Sequence, residues 1–209
     1  MYEERQFDTS SVYLSNGTLN PEKSGHFNGK PTAELAAAWK SLMQHQNIAV
    51  PKESLGQSAH DDGLIELADG SGYAASLAVF HGLHCVKRFH HWVHRDAYYP
   101  DLNDHDKDKL LFHTEHCVDW LRQYVQCNAD TTVIPFYWGS EQPIPLAIDK
   151  NKHQCMVWEP LEEWAAERSF DIFTHGLLVH PVLGNPYDGD GKGDAIGIAL
   201  DDHVLPGNH

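Results

Sequence analysis

The word His-x-x-His-Cys occurs twice, as His81-Gly82-Leu83-His84-Cys85 and as His113-Thr114-Glu115-His116-Cys117, 32 positions apart. Residues three and four apart are neighbours on one face of a helix. Each word, if helical, therefore sets two imidazoles and a thiol side by side. Two such words on facing helices gather four nitrogens and two sulfurs, a donor set for a transition metal, copper or zinc. The demand on the fold is specific: two long helices, antiparallel and in contact. The 27 residues between Cys85 and His113 leave room for the rest of one helix, a turn and the start of the next.

The hydrophobic period supports those helices. The first spans residues 75 to 98, ends before Tyr99-Pro100, and is apolar over most of its circumference through Val79, Phe80, Leu83, Val86, Phe89, Trp92 and Val93. Such a helix is expected to be mostly buried. The second spans 106 to 126, with Leu110, Cys117, Trp120, Leu121 and Tyr124 as its stripe and His113 inside it. An earlier amphipathic helix begins after Pro31, with Leu35, Trp39, Leu42 and Met43 on one face. Residues 64–67 and 73–78 flank Asp69-Gly70-Ser71-Gly72 and read as a small β-hairpin. After Cys127 the chain is loop-like and aromatic, followed by a short helix over 160–168 with Trp164 turned to the core. The expected fold is mainly α, one domain, with a central antiparallel helix pair carrying the metal site, a small hairpin and long irregular loops. Residues 1–30 read as an extended lead-in, 31–180 as the domain that carries the histidine words, and 181–209 as a Gly- and Asp-rich tail.

A net charge of −15 opposes binding to nucleic acid and to anionic membrane surfaces. No apolar run reaches the ~20 residues of a membrane span, and no signal peptide pattern opens the sequence. Nucleophile elbows, phosphate loops and dinucleotide fingerprints are absent, so hydrolase and nucleotide chemistry have no support. Residues 188–194 imitate a calcium loop, but the twelfth position from Asp188 is Ala199 instead of glutamate.

The cysteines decide the character of the metal. Free thiolates make a sulfur-rich site suited to zinc, whereas a bridge removes sulfur and leaves an all-imidazole site suited to copper. Four cysteines allow three pairings, which the sequence leaves open. The equivalent places of Cys85 and Cys117 favour a bridge between them, with Cys127 and Cys155 as the second pair. Asn16-Gly17-Thr18 is a glycosylation sequon, which matters in a secreted protein. His153, two residues before Cys155, is a further candidate ligand. His90 and His94 fall on the side of the helix away from His81 and read as packing or surface residues. His91 lies near the His84 edge.

The stretch from Tyr73 to Trp138 resembles the core of the UstYa-like family of fungal secondary-metabolite proteins. The likeness rests on the two His-x-x-His-Cys words, on Asp119-Trp120-Leu121-Arg122-Gln123, on Cys127-Asn128-Ala129-Asp130-Thr131-Thr132, and on His153-Gln154-Cys155 followed by Trp164-Ala165. Gly82 stands where that pattern leads one to expect a longer polar residue such as glutamine. The resemblance implies a copper-dependent oxidoreductase or halogenase using O₂. Its outcome is halogenation, hydroxylation or oxidative cyclisation of a small-molecule or peptide natural product. One or two coppers are expected on His81, His84, His113 and His116. It also implies a secretory-lumen location through an N-terminal membrane anchor not visible in this sequence, and a companion family member or a homodimer as partner. A structural zinc module and a non-catalytic partner of a companion oxidase are the alternatives.

Overall fold

A computed structural model describes residues 1–22, 25–141 and 143–186. The calcium-like run at 188–194 and most of the Gly- and Asp-rich tail lie outside the described residues. Helix α1 spans Ala33–Met43 and is capped by Thr32, whose hydroxyl accepts from the Leu35 N–H at 3.2 Å. A 3₁₀ segment, Lys52–His60, kinks at Gly56. Helix α2 spans Ala78–Val93, the four-residue α3 spans Arg95–Tyr98, and α4 spans Asp104–Cys127. Asn103 caps α4 by accepting from the Asp106 N–H at 2.9 Å, and Asp104 and Asp106 complement the positive end of the helix dipole. Helix α5 covers Trp158–Ala166. Among the described residues no helix is long and apolar enough to cross a membrane.

Among the described residues there are three two-stranded antiparallel sheets: β1 (Tyr2–Gln6) with β6 (Lys152–Met156), β2 (Ile48–Val50) with β3 (Tyr73–Ala75), and β4 (Phe136–Trp138) with β5 (Pro145–Ala147). The expected hairpin is present as a Glu66–Tyr73 bridge closed by the Leu67 N–H to the Gly72 carbonyl at 2.8 Å. Its principal partner, however, is β2, from a segment that gives no strand signal of its own. Gly72 makes that pairing feasible. Its φ is +140°, and a Cβ there would sit 2.7 Å from the Val50 carbonyl oxygen.

Helix α2 is the central rod. Phe80 packs with Ile48, Val50 and Ala165, and Leu83 reaches both that cluster and the Leu35–Trp39–Met43 face of α1. Trp92 closes on Leu110 of α4. The expectation of a helix apolar over most of its circumference needs correction. Val86 and Val93 are exposed, while Lys87, Arg88 and His91 are buried. The helix also stops at Val93, because His94 leaves the helical region at φ −111°, ψ 27°. Chain direction changes there, before Pro100 is reached.

Two further expectations are corrected. Trp164 does not face the core; it is 40% exposed and carries the Arg168 guanidinium on its ring. Helix α5 begins two residues earlier than the period suggested, so Trp158, Leu161 and Ala165 form its inner face. Residues 1–30 are more than an extended lead-in. β1 pairs along its length with β6, and Tyr13 bridges Leu19 around a small turn.

Candidate metal centre

The antiparallel packing of α2 on α4 brings the two histidine words together. Ring centres are 6.2 Å apart for His81–His84, 5.5 Å for His84–His113, 6.4 Å for His113–His116 and 6.1 Å for His116–His81. The four imidazoles thus form a closed circuit, two from each helix. The cross-helix neighbours are each closer than the neighbours within a helix.

Two imidazoles sharing one ion at ~2.0 Å have ring centres roughly 4.5 to 6.3 Å apart, from a right angle to a straight line. Both cross-helix pairs fall in that span. As the side chains stand, no group of three or more His, Cys, Asp or Glu among the described residues is placed to hold an ion. The donors are therefore gathered but not closed, and their chemistry fits copper or zinc. Burial, followed by the neighbouring imidazole of His84, holds the His81 pKa below the ordinary histidine range. His81 accordingly favours the neutral form that a metal ligand requires.

Cys85 and Cys117 lie behind the circuit, both fully buried and both free thiols. Their sulfurs share a hydrogen bond, which lowers Cys117 and raises Cys85. His113 also bonds to Cys117 and lowers it further. Cys127 is exposed at the end of α4, Cys155 is half-buried on β6, and both are free.

A cleft of about 510 Å³ opens in front of His81, His84 and Trp120. Its polar wall is Gln46, Asn47 and Ser76, and its apolar wall includes Leu77, Phe80 and Ile172. Nothing in the local sequence marked Gln46, Asn47 or Ile172, because distant segments deliver them. Trp120 was legible as part of an apolar stripe and of the family-like run Asp119–Gln123, but not as a neighbour of His81. In the structure its ring meets His81 at 4.4 Å.

His90, His91 and His153 serve packing. His90 bonds through Nε2 to the Gly29 carbonyl at 2.7 Å and through Nδ1 to the Tyr98 hydroxyl at 3.1 Å. His91 is buried, stacks on Tyr98, and bonds the Tyr99 hydroxyl at 2.7 Å. His153 is placed away from the circuit. Its ring stacks on Phe7 at 3.8 Å, its Nδ1 bonds Asp130 at 2.5 Å, and its Nε2 is buried without a hydrogen-bond partner among the described residues. The Thr132 hydroxyl and N–H, then His153, hold the Asp130 carboxyl down at about 2. Sequence reasoning missed Asp130 because the partner histidine lies 23 residues downstream.

No solved structure matches the chain. It is similar to phomYd, a UstYa family oxidase of Diaporthe leptostromiformis, with 28% identity over 198 residues, 88% of this chain and 64% of that protein. It is similar to aprY, a UstYa family oxidase of Aspergillus flavus, with 26% identity over 214 residues, 89% of this chain and 63% of that protein. With VicYb, a UstYa family oxidase of Bipolaris victoriae, it shares 31% identity over 97 residues, 46% of this chain and 82% of that protein. The chain thus spans a little under two thirds of the length of phomYd and of aprY. A family model described as the mycotoxin biosynthesis protein UstYa matches residues 1–168, a span that holds both histidine words, and the chain belongs to the UstYa family.

Proposed function

We propose that this chain is the catalytic part of a copper-dependent oxidase that tailors a fungal natural product at a C–H position. The observation that carries the reading is the closed circuit of four imidazoles beside the 510 Å³ cleft. The names of the relatives, UstYa family oxidases, support the oxidative class.

His81, His84, His113 and His116 would hold one or two ions. A bound copper ion supplies one-electron redox chemistry with O₂ as the oxidant. The protein's own contribution is orientation and exclusion. The rigid α2–α4 pair fixes the imidazoles, and the aromatic and aliphatic wall keeps bulk water from the substrate. Gln46, Asn47 and Ser76 offer hydrogen bonds to a polar group of a small-molecule or peptide substrate. Halogenation, hydroxylation and oxidative cyclisation are the outcomes proposed, in the secretory lumen, with Asn16 glycosylated.

The buried thiols favour one second reading. Cys117, bonded to His113, together with Cys85 could place zinc in a structural site. Metal stoichiometry and a thiol count on the purified chain separate the two. Copper with an electron paramagnetic resonance signal altered in His84→Ala supports the oxidase; tightly held zinc with four free thiols overturns it. Turnover of a candidate substrate with copper, reductant and O₂ tests sufficiency. Activity only in the presence of a companion family member overturns the claim that the chain acts alone.

A further inference from the structure

We infer that Trp120 is a positioning residue for His81, seated by the missing side chain at Gly82. The inference rests on the metal reading above. Glycine inside a helix is unfavourable relative to other residues, yet Gly82 lies within α2 and is buried against α4. A Cβ at that position would lie 3.2 Å from Trp120 Cζ3 and 3.6 Å from Tyr124 Cε1. The notch admits the indole. Trp120 then stacks on Tyr124, with ring centres 5.0 Å apart, and meets His81 at 4.4 Å with the planes at 74°.

His81 is boxed by three rings: Trp120, His84 and His116. An imidazole has two nitrogens on a rotating bond, so a wall on one side decides which orientation it holds. The same indole lines the cleft beside His81 and His84. Trp120 therefore links the width of the substrate space to the orientation of a ligand. A side chain at position 82 presses on the indole, since its Cβ alone would sit 3.2 Å from Trp120 Cζ3.

The test combines ¹H–¹³C spectra of the metal-free protein labelled at histidine with copper titration and electron paramagnetic resonance. The variants are Trp120→Leu, Trp120→Phe, Gly82→Gln, His84→Ala and, as a control, Trp138→Leu at an exposed tryptophan of β4. In the wild type the His81 ring protons are shifted by the indole ring current. Trp120→Leu removes that shift, changes the copper hyperfine pattern and weakens copper binding roughly tenfold. Trp120→Phe retains most of both, and keeps the test intact if leucine unfolds the chain. Gly82→Gln reproduces the leucine spectra with the tryptophan still present, and Trp138→Leu matches wild type. Superimposable His81 and copper signals in wild type and Trp120→Leu overturn the inference. Failure of the metal reading registers separately, as a copper signal unchanged in His84→Ala. Failure of Trp120 alone registers as a signal altered by His84→Ala and untouched by Trp120→Leu.

Discussion

His84 stands between His81 and His113 in the imidazole circuit, so its removal opens one neighbour within α2 and one across to α4. His84→Ala is expected to weaken copper binding by roughly tenfold or more, a loss of about 1.4 kcal/mol per decade, read by competitive titration. His153→Ala, away from the circuit, is expected to leave that affinity within about twofold and to lower the melting temperature instead, because it removes the Phe7 stack and the Asp130 bond. The lowered pKa values of His81 and His90 set a pH dependence. Burial is the leading cause in both, so the folded state binds these protons less readily than the unfolded chain. That contribution to stability is present above the ordinary histidine pKa of about 6.5 and is lost as pH falls below it. Melting temperatures of the metal-free chain should therefore drop between about pH 7 and pH 5, and His90→Gln should flatten part of the drop. Asp130, whose pKa is held at about 2, adds a separate loss only below its ordinary value of about 4. Asn16 lies exposed at a turn, with its Oδ1 accepting from the Thr18 N–H at 3.0 Å and from the Thr18 hydroxyl at 2.7 Å. Expression through a secretory pathway should add a mass removable by peptide N-glycosidase and absent in Asn16→Gln; an unmodified wild type counts against a lumenal location.

At the scale of elements, α2 and α4 matter through their contact. Leu110 is 1% exposed, against Trp92, Tyr99 and Leu102. Leu110→Ala should cost about 2–5 kcal/mol by chemical denaturation. Val118→Ala on the same helix, at a side chain 49% exposed, should stay within about 0.5 kcal/mol. These helices were legible because each carries its apolar period in local sequence, and the spacing of the histidine words required them to meet. The end of α2 was not legible. No proline or glycine stands at His94, and the break follows from packing, in which the Tyr98 hydroxyl returns to His90 and the Tyr98 ring to His91. The inner face of α5 was misjudged for a related reason. A nine-residue helix has too few turns to fix its phase, so a shift of two residues at its start exchanged Trp164 for Trp158.

Across the whole molecule, the sequence pattern identifies what lies within one helix turn and misses what arrives from a distance. The four histidines could be named from spacing alone. The cleft before them could not, since Gln46 and Asn47 precede β2 and Ile172 follows α5. The thiols obey the same division. Their equivalent places in the two words suggested a partner for each, and the structure sets Cys85 against Cys117 as bonded thiols, while a bridge between them remains a proposal for the oxidised protein. Alkylation and intact mass of chain purified under air test it: no reactive thiol indicates both expected bridges, two indicate one, four indicate none, and Cys85→Ser should release one further thiol only if Cys85 is bridged.

The pairing of β1 with β6 has a consequence in time. Tyr2–Gln6 are made long before their register partners Lys152–Met156, so this strand waits unpaired until most of the described chain has been made. Helices α2 and α4 are complete in the growing chain before β6 is made. The imidazole circuit can therefore assemble while the nascent chain is still growing, and the sheet that seats Phe7 over His153 is among the last joints to set.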